Sequence, residues 1–190
     1  MGYLKLIIGP MFAGKSTELM RIIRTYRAID KKVLPINHII NKRFNTHKIT
    51  THDYVNDGRN LDSEDCIVVS NLNEIDINVI KSSDVIIIEE LQFFEDAFEN
   101  IVKWVDEWDK IVIAAGLIGD SQRKPFGDVL RLIPHADEID KLNAMCVRCR
   151  DGTPAHFSLC TINQPSQTLV GSTEYAAVCR FHYNLLVKKE

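Results

Sequence analysis

Tyr3-Leu-Lys-Leu-Ile-Ile8, followed at once by Gly9-Pro10-Met11-Phe12-Ala13-Gly14-Lys15-Ser16-Thr17, decides the fold. The first six residues are short and apolar and end at a glycine, the pattern of a strand buried in a sheet. Residues 9–16 match G-x-x-x-x-G-K-[ST] in full. Glycines at both ends let the backbone wrap an anion, so that successive N–H groups point inward at phosphate oxygens. Over residues 16–29 the apolar side chains Leu19, Ile22, Ile23 and Tyr26 share one helical face. That helix adds its positive end to the loop. In such a loop Lys15 reaches the β- and γ-phosphates and Ser16 holds Mg²⁺. Strand, glycine loop and helix in this order point to ATP or GTP binding.

The rest of the chain extends the same architecture. Residues 32–36 read as a second strand, with Pro35 confining it to an edge or to its own start. Residues 37–63 are polar, without a clear period, and form a long loop. Residues 66–69 make a short strand and residues 72–80 a weak helix. Val85–Ile88 is four aliphatic residues in a row, as in a strand covered on both faces of a parallel sheet. Residues 94–108 place Phe94, Phe98, Ile101, Val102 and Val105 on one helical face, and residues 111–115 form another buried strand. Strands alternating with helices predict an α/β fold: a P-loop NTPase-like parallel sheet flanked by helices. Past residue 142 the pattern changes to short pieces around Pro154, Pro165 and Gly171. A division into a nucleotide-binding domain, 1–142, and a small strand-rich lobe, 143–190, is expected.

Two further motifs carry chemistry. Glu89 and Glu90 follow the Val85–Ile88 strand, where a phosphate-binding fold positions its metal partner. Glu89 is the candidate for the Mg²⁺ shell. Glu90 is placed to take a proton from an attacking hydroxyl, since adjacent carboxylates with different partners do different jobs. Cys146-x-x-Cys149 and Cys179-x-x-His182 are two paired-ligand motifs separated by residues 150–178. Together they supply the four ligands of a closed, structural Zn²⁺ site. Cys66 and Cys160 fall outside this pattern and read as small buried hydrophobes. Residues 122–127, QRKPFG, follow the 111–115 strand, at the sheet end where ligands gather. Arg123 is positioned there for phosphates and Phe126 for an apolar ring. His52, in the long loop, reads as a hydrogen-bonding residue rather than a catalyst.

Composition narrows the class. The chain has 190 residues, 45% apolar and 26% charged, which excludes disorder and fibrous repeats. Its longest uncharged apolar run, residues 111–118, is far short of the roughly 20 residues of a membrane helix. The start lacks a basic n-region and cleavage site, so no secretory leader and no membrane partner are expected. The five cysteines then suit thiols or metal ligands in a reducing cytoplasm. Net charge is −3, which predicts no general affinity for nucleic acid. Residues 1–48 nevertheless hold 10 basic and 2 acidic residues, against 4 and 16 in residues 49–110. A basic first third suits a small phosphate-bearing ligand.

GPMFAGKSTELM (9–20), THD (51–53), IEELQFF (88–94), QRKPFG (122–127), the paired cysteines at 146 and 149, Tyr175 and VCRFHY (178–183) resemble the zinc-containing thymidine kinases of cellular, bacterial and poxviral type. The resemblance runs from about residue 4 to 184. It implies transfer of the γ-phosphate of ATP to the 5′-hydroxyl of thymidine, in a cytosolic homotetramer subject to feedback by thymidine triphosphate. It places residues 9–17 on the ATP phosphates, Glu89 at the Mg²⁺ carboxylate, Glu90 at the catalytic base, and Met11 and Phe93 near the nucleoside base. It also implies that the zinc lobe is a lasso folded over the base, with Ser166, Gln167, Thr168, Leu169, Val170 and Tyr175 falling there. Backbone groups that pair both edges of a pyrimidine reject the wrong base strongly, because buried unpaired groups are costly. The chain departs from the family pattern at Glu89, where Asp is usual. Ser121 replaces a usual Phe beside the base, and Val170 replaces the first glycine of a pair. Ser121 and Val170 bear on substrate range. The rival readings are a kinase of wider deoxynucleoside range and a nucleotide-gated zinc-ribbon ATPase that grips nucleic acid. Against the second, residues 146–190 carry no dense basic patch interleaved with aromatics.

Overall fold

The computed structural model describes residues 1–41, 48–50, 63–162 and 174–187. Its centre is a six-stranded parallel sheet in the order β5-β2-β6-β7-β1-β8. These strands are β1 (Tyr3–Ile8), β2 (Val33–His38), β5 (Ile67–Val69), β6 (Val85–Ile88), β7 (Ile111–Gly116) and β8 (Glu138–Lys141). Strand β3 (Lys48–Thr50), inside the stretch expected to be loop, pairs antiparallel with β4 (Ser63–Asp65), which starts at the last residue of that stretch. The helices are α1 (Lys15–Arg27), α2 (Ile77–Ser82), α3 (Ala97–Asp106), α4 (Val129–Leu132) and α5 (Arg180–Val187). The remaining strands, β9 (Ala144–Met145), β10 (Pro154–Ala155), β11 (Phe157–Cys160) and β12 (Tyr175–Val178), pair antiparallel as β9 with β10 and β11 with β12.

The apolar strands are continuous because both faces of the sheet are covered. Successive side chains point to opposite faces. Ile7, Val85, Ile87, Ile113 and Ala115 meet Leu19, Met20, Ile22 and Ile23 of α1 on one face. Leu4, Leu6, Ile8, Ile86, Ile88, Val112 and Ala114 meet Ile101, Trp104 and Val105 of α3 and Val129 and Leu132 of α4 on the other. A third cluster, including Ala144, Ala155, Leu159, Val178 and Tyr183, packs strands β9 to β12 against α5. No helix among the described residues is long and apolar enough to cross a membrane.

Several elements differ from the sequence reading. Pro35 lies in an interior strand, not at an edge. Ile36 O accepts from Glu89 N, so even-numbered residues of β2 face β6 and Pro35 faces β5. Pairing with β5 begins only at Ile36, so the missing N–H of Pro35 forfeits no ladder bond. The helix expected from residue 94 begins at Ala97. Residues 91–93 form a 3₁₀ turn first, and Phe94 is buried without being helical. The weak helix of residues 72–80 divides into a 3₁₀ turn at Leu72–Glu74 and α2. Asp96 caps the start of the 3₁₀ turn, its carboxylate accepting from Leu72 N and Asn73 N at 3.1 and 2.9 Å, and Asp76 caps α2 after the break, accepting from Asn78 N at 2.8 Å. Strand β8 and helices α4 and α5 had no counterpart in the sequence reading. His52, the THD motif (51–53) and residues 166–170 lie outside the described residues.

This topology positions the site. The strands that lead into the glycine loop and into Glu89 are β1 and β6, with only β7 between them. Strand β7 ends in Ala114, Ala115 and Gly116, small residues that leave space above the sheet.

Candidate active site

Gly14 adopts a left-handed backbone, with φ 81°, and α1 begins at the next residue. Lys15 Nζ donates back to Gly9 O at 3.2 Å and to Pro10 O at 2.8 Å, so the ammonium lies against its own loop. Ser16 Oγ donates to Glu89 Oε1 across the gap from β1 to β6. Glu89 is buried. The outer wall of the loop is fixed from the C-terminal part of the chain: Met11 N donates to the buried hydroxyl of Ser158, in β11, at 2.9 Å. We expect Ser158→Ala to leave that N–H unpaired and to cost about 1–3 kcal/mol. The measurements are thermal melting, which should fall, and the KM for ATP, which should rise as the loop loosens.

A cavity of about 190 Å³ lies beside the loop. Residues 11–17 form one wall, and Glu89, Glu90, Gln92 and Phe93 another. Leu117, Gly119, Asp120, Ser121 and Phe126 close it from the β7 side, and Ser158 and Tyr175 from the C-terminal strands. Glu90 has a left-handed backbone, φ 56° and ψ 42°, which is uncommon for a residue with a side chain. Its Oε2 accepts from Gln92 Nε2 at 2.6 Å. The rings of Phe93 and Phe126 meet edge to face at 5.4 Å, an apolar corner at one end of the cavity. Behind Phe93 sits His38, buried, its Nε2 on Ser70 O and its Nδ1 accepting from Ile40 N. Burial holds this imidazole below its usual range.

The structure thus brings together the loop residues 11–17, Glu89, Glu90, Phe93, Ser121, Phe126 and Tyr175. Arg123 stands apart from the cavity lining. Its guanidinium lies 4.4 Å above the ring of Tyr183 and 5.6 Å from that of Phe157. Ser166, Gln167, Thr168, Leu169 and Val170 are outside the described residues. The sequence reading missed Gln92, Asp120 and Ser158 as cavity residues. Gln92 was legible in principle, lying two residues beyond Glu90 at a strand end. Ser158 carried no local pattern at all, since only the fold brings β11 to the loop.

Cys146, Cys149, Cys179 and His182 converge, their ligand atoms all within 4.8 Å of one another. Cys149 Sγ lies 3.8 Å from Cys179 Sγ, and His182 Nδ1 lies 3.4 Å from each of these sulfurs and 3.7 Å from Cys146 Sγ. A tetrahedron with zinc bond lengths has S···S edges of about 3.8 Å and S···N edges of about 3.6 Å. The four residues therefore fit Zn²⁺ in ligand type and in shape. Burial would push the Cys146 thiol up, but backbone N–H groups of Cys179, Cys149 and Arg148 bring it down, while burial pushes the neighbouring Cys149 thiol up. All five cysteines are free thiols. Cys66 packs on the α1 side of the core, and burial, with Glu89 nearby, pushes its thiol up to about 12.

A parallel sheet with a glycine loop and lysine after one strand and a carboxylate pair after another defines a P-loop enzyme acting on nucleotides. The thymidine kinase family model matches residues 2–183, and the chain belongs to that family and is a kinase. It is 38% identical over 182 residues to the thymidine kinase of Yaba monkey tumor virus, covering 96% of this chain and 94% of the viral protein. It is 37% identical over 185 residues to that of Amsacta moorei entomopoxvirus, covering 95% and 97%. It is 36% identical over 187 residues to thymidine kinase a of Arabidopsis thaliana, covering 96% and 75%. Among solved structures, Bacteroides Pif1 bound to single-stranded DNA aligns over 74% of this chain and 38% of its own, with TM-score 0.37 and 13% identity. So distant a likeness carries no argument.

Proposed function

We propose that this chain transfers the γ-phosphate of ATP to the 5′-hydroxyl of thymidine, and of deoxyuridine, in nucleotide salvage. The observation that carries the reading is one cavity lined by groups of three different chemistries. A phosphate-binding loop with Lys15, the carboxylate of Glu90 and the Phe93–Phe126 corner all face it. Residues 9–17 hold the ATP phosphates and Lys15 turns from the loop carbonyls to the transferred group. Phe93, Phe126 and Met11 flank the pyrimidine, with Ser121, Tyr175 and residues 166–170 closing around it. Glu90 accepts the proton as the hydroxyl attacks in line. Phosphoryl transfer needs mainly positioning and charge stabilisation, and these residues supply the positioning. Ser16 and Glu89, two oxygen-bearing side chains already in contact, would hold Mg²⁺, whose charge offsets that of the phosphates when it is bound. Arg123 would add to that charge only by leaving the ring of Tyr183. Cys146, Cys149, Cys179 and His182 hold a structural Zn²⁺ within a lobe, 143–190, distinct from the nucleotide-binding part, 1–142. By its family, the chain is proposed to act as a cytoplasmic homotetramer inhibited by thymidine triphosphate.

The test is transfer of labelled γ-phosphate from Mg-ATP to thymidine, deoxyuridine, deoxycytidine and deoxyadenosine. We expect labelled product with thymidine and deoxyuridine and none with the purine. Deoxycytidine product would assign a wider range, in line with the small Ser121 side chain. ATP hydrolysis with no nucleoside product would overturn the proposal.

A further inference from the structure

Gln92 is almost wholly buried, and both ends of its amide are committed. Its Oε1 accepts from Leu117 N at 3.0 Å, just past the end of β7. That bond fixes which end of the amide is oxygen, so Nε2 must face Glu90, where it donates to Oε2 at 2.6 Å. The residue is closely packed on two sides. A Cβ on Gly116 would stand 3.0 Å from Gln92 Oε1. A Cβ on Gly127 would stand 2.3 Å from Gln92 O, and Gly127 also has a left-handed backbone, φ 58°. Glycines on both sides therefore let the chain close around Gln92. The residue it holds, Glu90, has a left-handed backbone, and such a conformation persists only where the surroundings over-determine it.

We propose that Gln92 is a positioning residue for the phosphoryl transfer: by tying one oxygen of Glu90 to the end of β7, it fixes the carboxylate that lines the cavity. The inference rests on the assignment of Glu90 as the base. Fixing the carboxylate this way joins the ends of β6 and β7, so the geometry of the base is set by the rigid sheet and not by the loop that carries it. A misplacement of about 1 Å in a reacting group costs on the order of 100-fold in rate.

The test is a double-mutant cycle. Gln92→Met removes the donor and keeps the volume. A melting temperature close to that of the wild type shows that the fold is kept. The substitution should lower kcat by about 10- to 100-fold, with the KM for ATP changed less than about threefold. In a Glu90→Gln background the same change should cost less than about twofold, because Gln92 acts through Glu90. Equal losses in both backgrounds would make Gln92 a packing residue and overturn the proposal, as would native kcat in Gln92→Met. A readout without turnover separates this from failure of the functional proposal. The side-chain amide of Gln92, assigned by its disappearance in Gln92→Met, should exchange slowly with solvent and shift in Glu90→Ala. If the wild-type protein phosphorylates no thymidine but this resonance behaves as stated, the substrate assignment fails and the clamp stands. If the amide exchanges freely, the clamp fails whatever the activity.

Discussion

Glu90→Gln is expected to lower kcat by about 10²- to 10⁴-fold, the range in which a positioned general base contributes. The binding of ATP and the melting temperature should hardly change. The substituted amide keeps an oxygen that can accept from Gln92 Nε2, so the local hydrogen bonding survives. What it loses is the capacity to take the proton of the attacking hydroxyl. Two other carboxylates line the same cavity, and their contacts separate them from this role. Glu89 is buried and holds the hydroxyl of Ser16. Asp120 Oδ1 accepts from Gln122 N and Lys124 N at 2.8 and 2.9 Å, which builds the turn before Phe126. Rapid-quench measurement of the chemical step, alongside steady-state kcat, is the check. A variant with native turnover and unchanged nucleotide binding would mean that the base lies elsewhere, and Asp120 would be the next carboxylate to replace.

The parts of the fold that the sequence made legible are those whose pattern is local. Val85–Ile88 reads as a covered strand because each of its residues is apolar, and β6 has these bounds. The glycine loop reads correctly because backbone conformation there depends on Gly14 itself. The candidate metal ligands Cys146, Cys149, Cys179 and His182 are legible in their spacing, and the two pairs converge in the fold. What stayed hidden depends on partners distant in sequence. Strand β8, Glu-Ile-Asp-Lys, has an edge-strand composition with no hydrophobic run, and Lys5 pairs with both of its acids, Glu138 and Asp140. Pro35 looked like an edge residue because the sequence cannot show where the neighbouring strand begins. Helix α3 starts later than its apolar period suggests because residues 91–93 take a 3₁₀ turn and Phe94 then has an extended backbone, φ −86° and ψ 107°. Ser158 is invisible because its partner, Met11, lies 147 positions away.

Those long-range contacts make zinc the second large effect. Cys149→Ser is expected to release the metal and to unfold residues 143–190, because structural zinc supplies folding free energy directly, apparent values in small zinc domains being about 10–16 kcal/mol. The consequences should reach the active site. Ser158 holds Met11 N at the phosphate loop, Tyr175 lines the cavity, and Tyr183, next to His182, donates from its hydroxyl to Ser121 O at 2.6 Å. Loss of the lobe therefore removes one wall and two supports of the cavity. The six-stranded sheet keeps its own core on both faces, so secondary structure by circular dichroism should survive in part. Three measurements check this: zinc content, limited proteolysis, which should begin within residues 143–190, and kinetics, in which the KM for thymidine should rise with kcat falling. His182→Cys in the otherwise wild-type chain supplies the control, since a four-cysteine set still suits zinc and should retain metal binding and most of the stability. Unchanged zinc content in Cys149→Ser would rule out this residue as a ligand. Full loss of zinc with native activity would show that the lobe's contacts with Met11 and Ser121 hold without the metal.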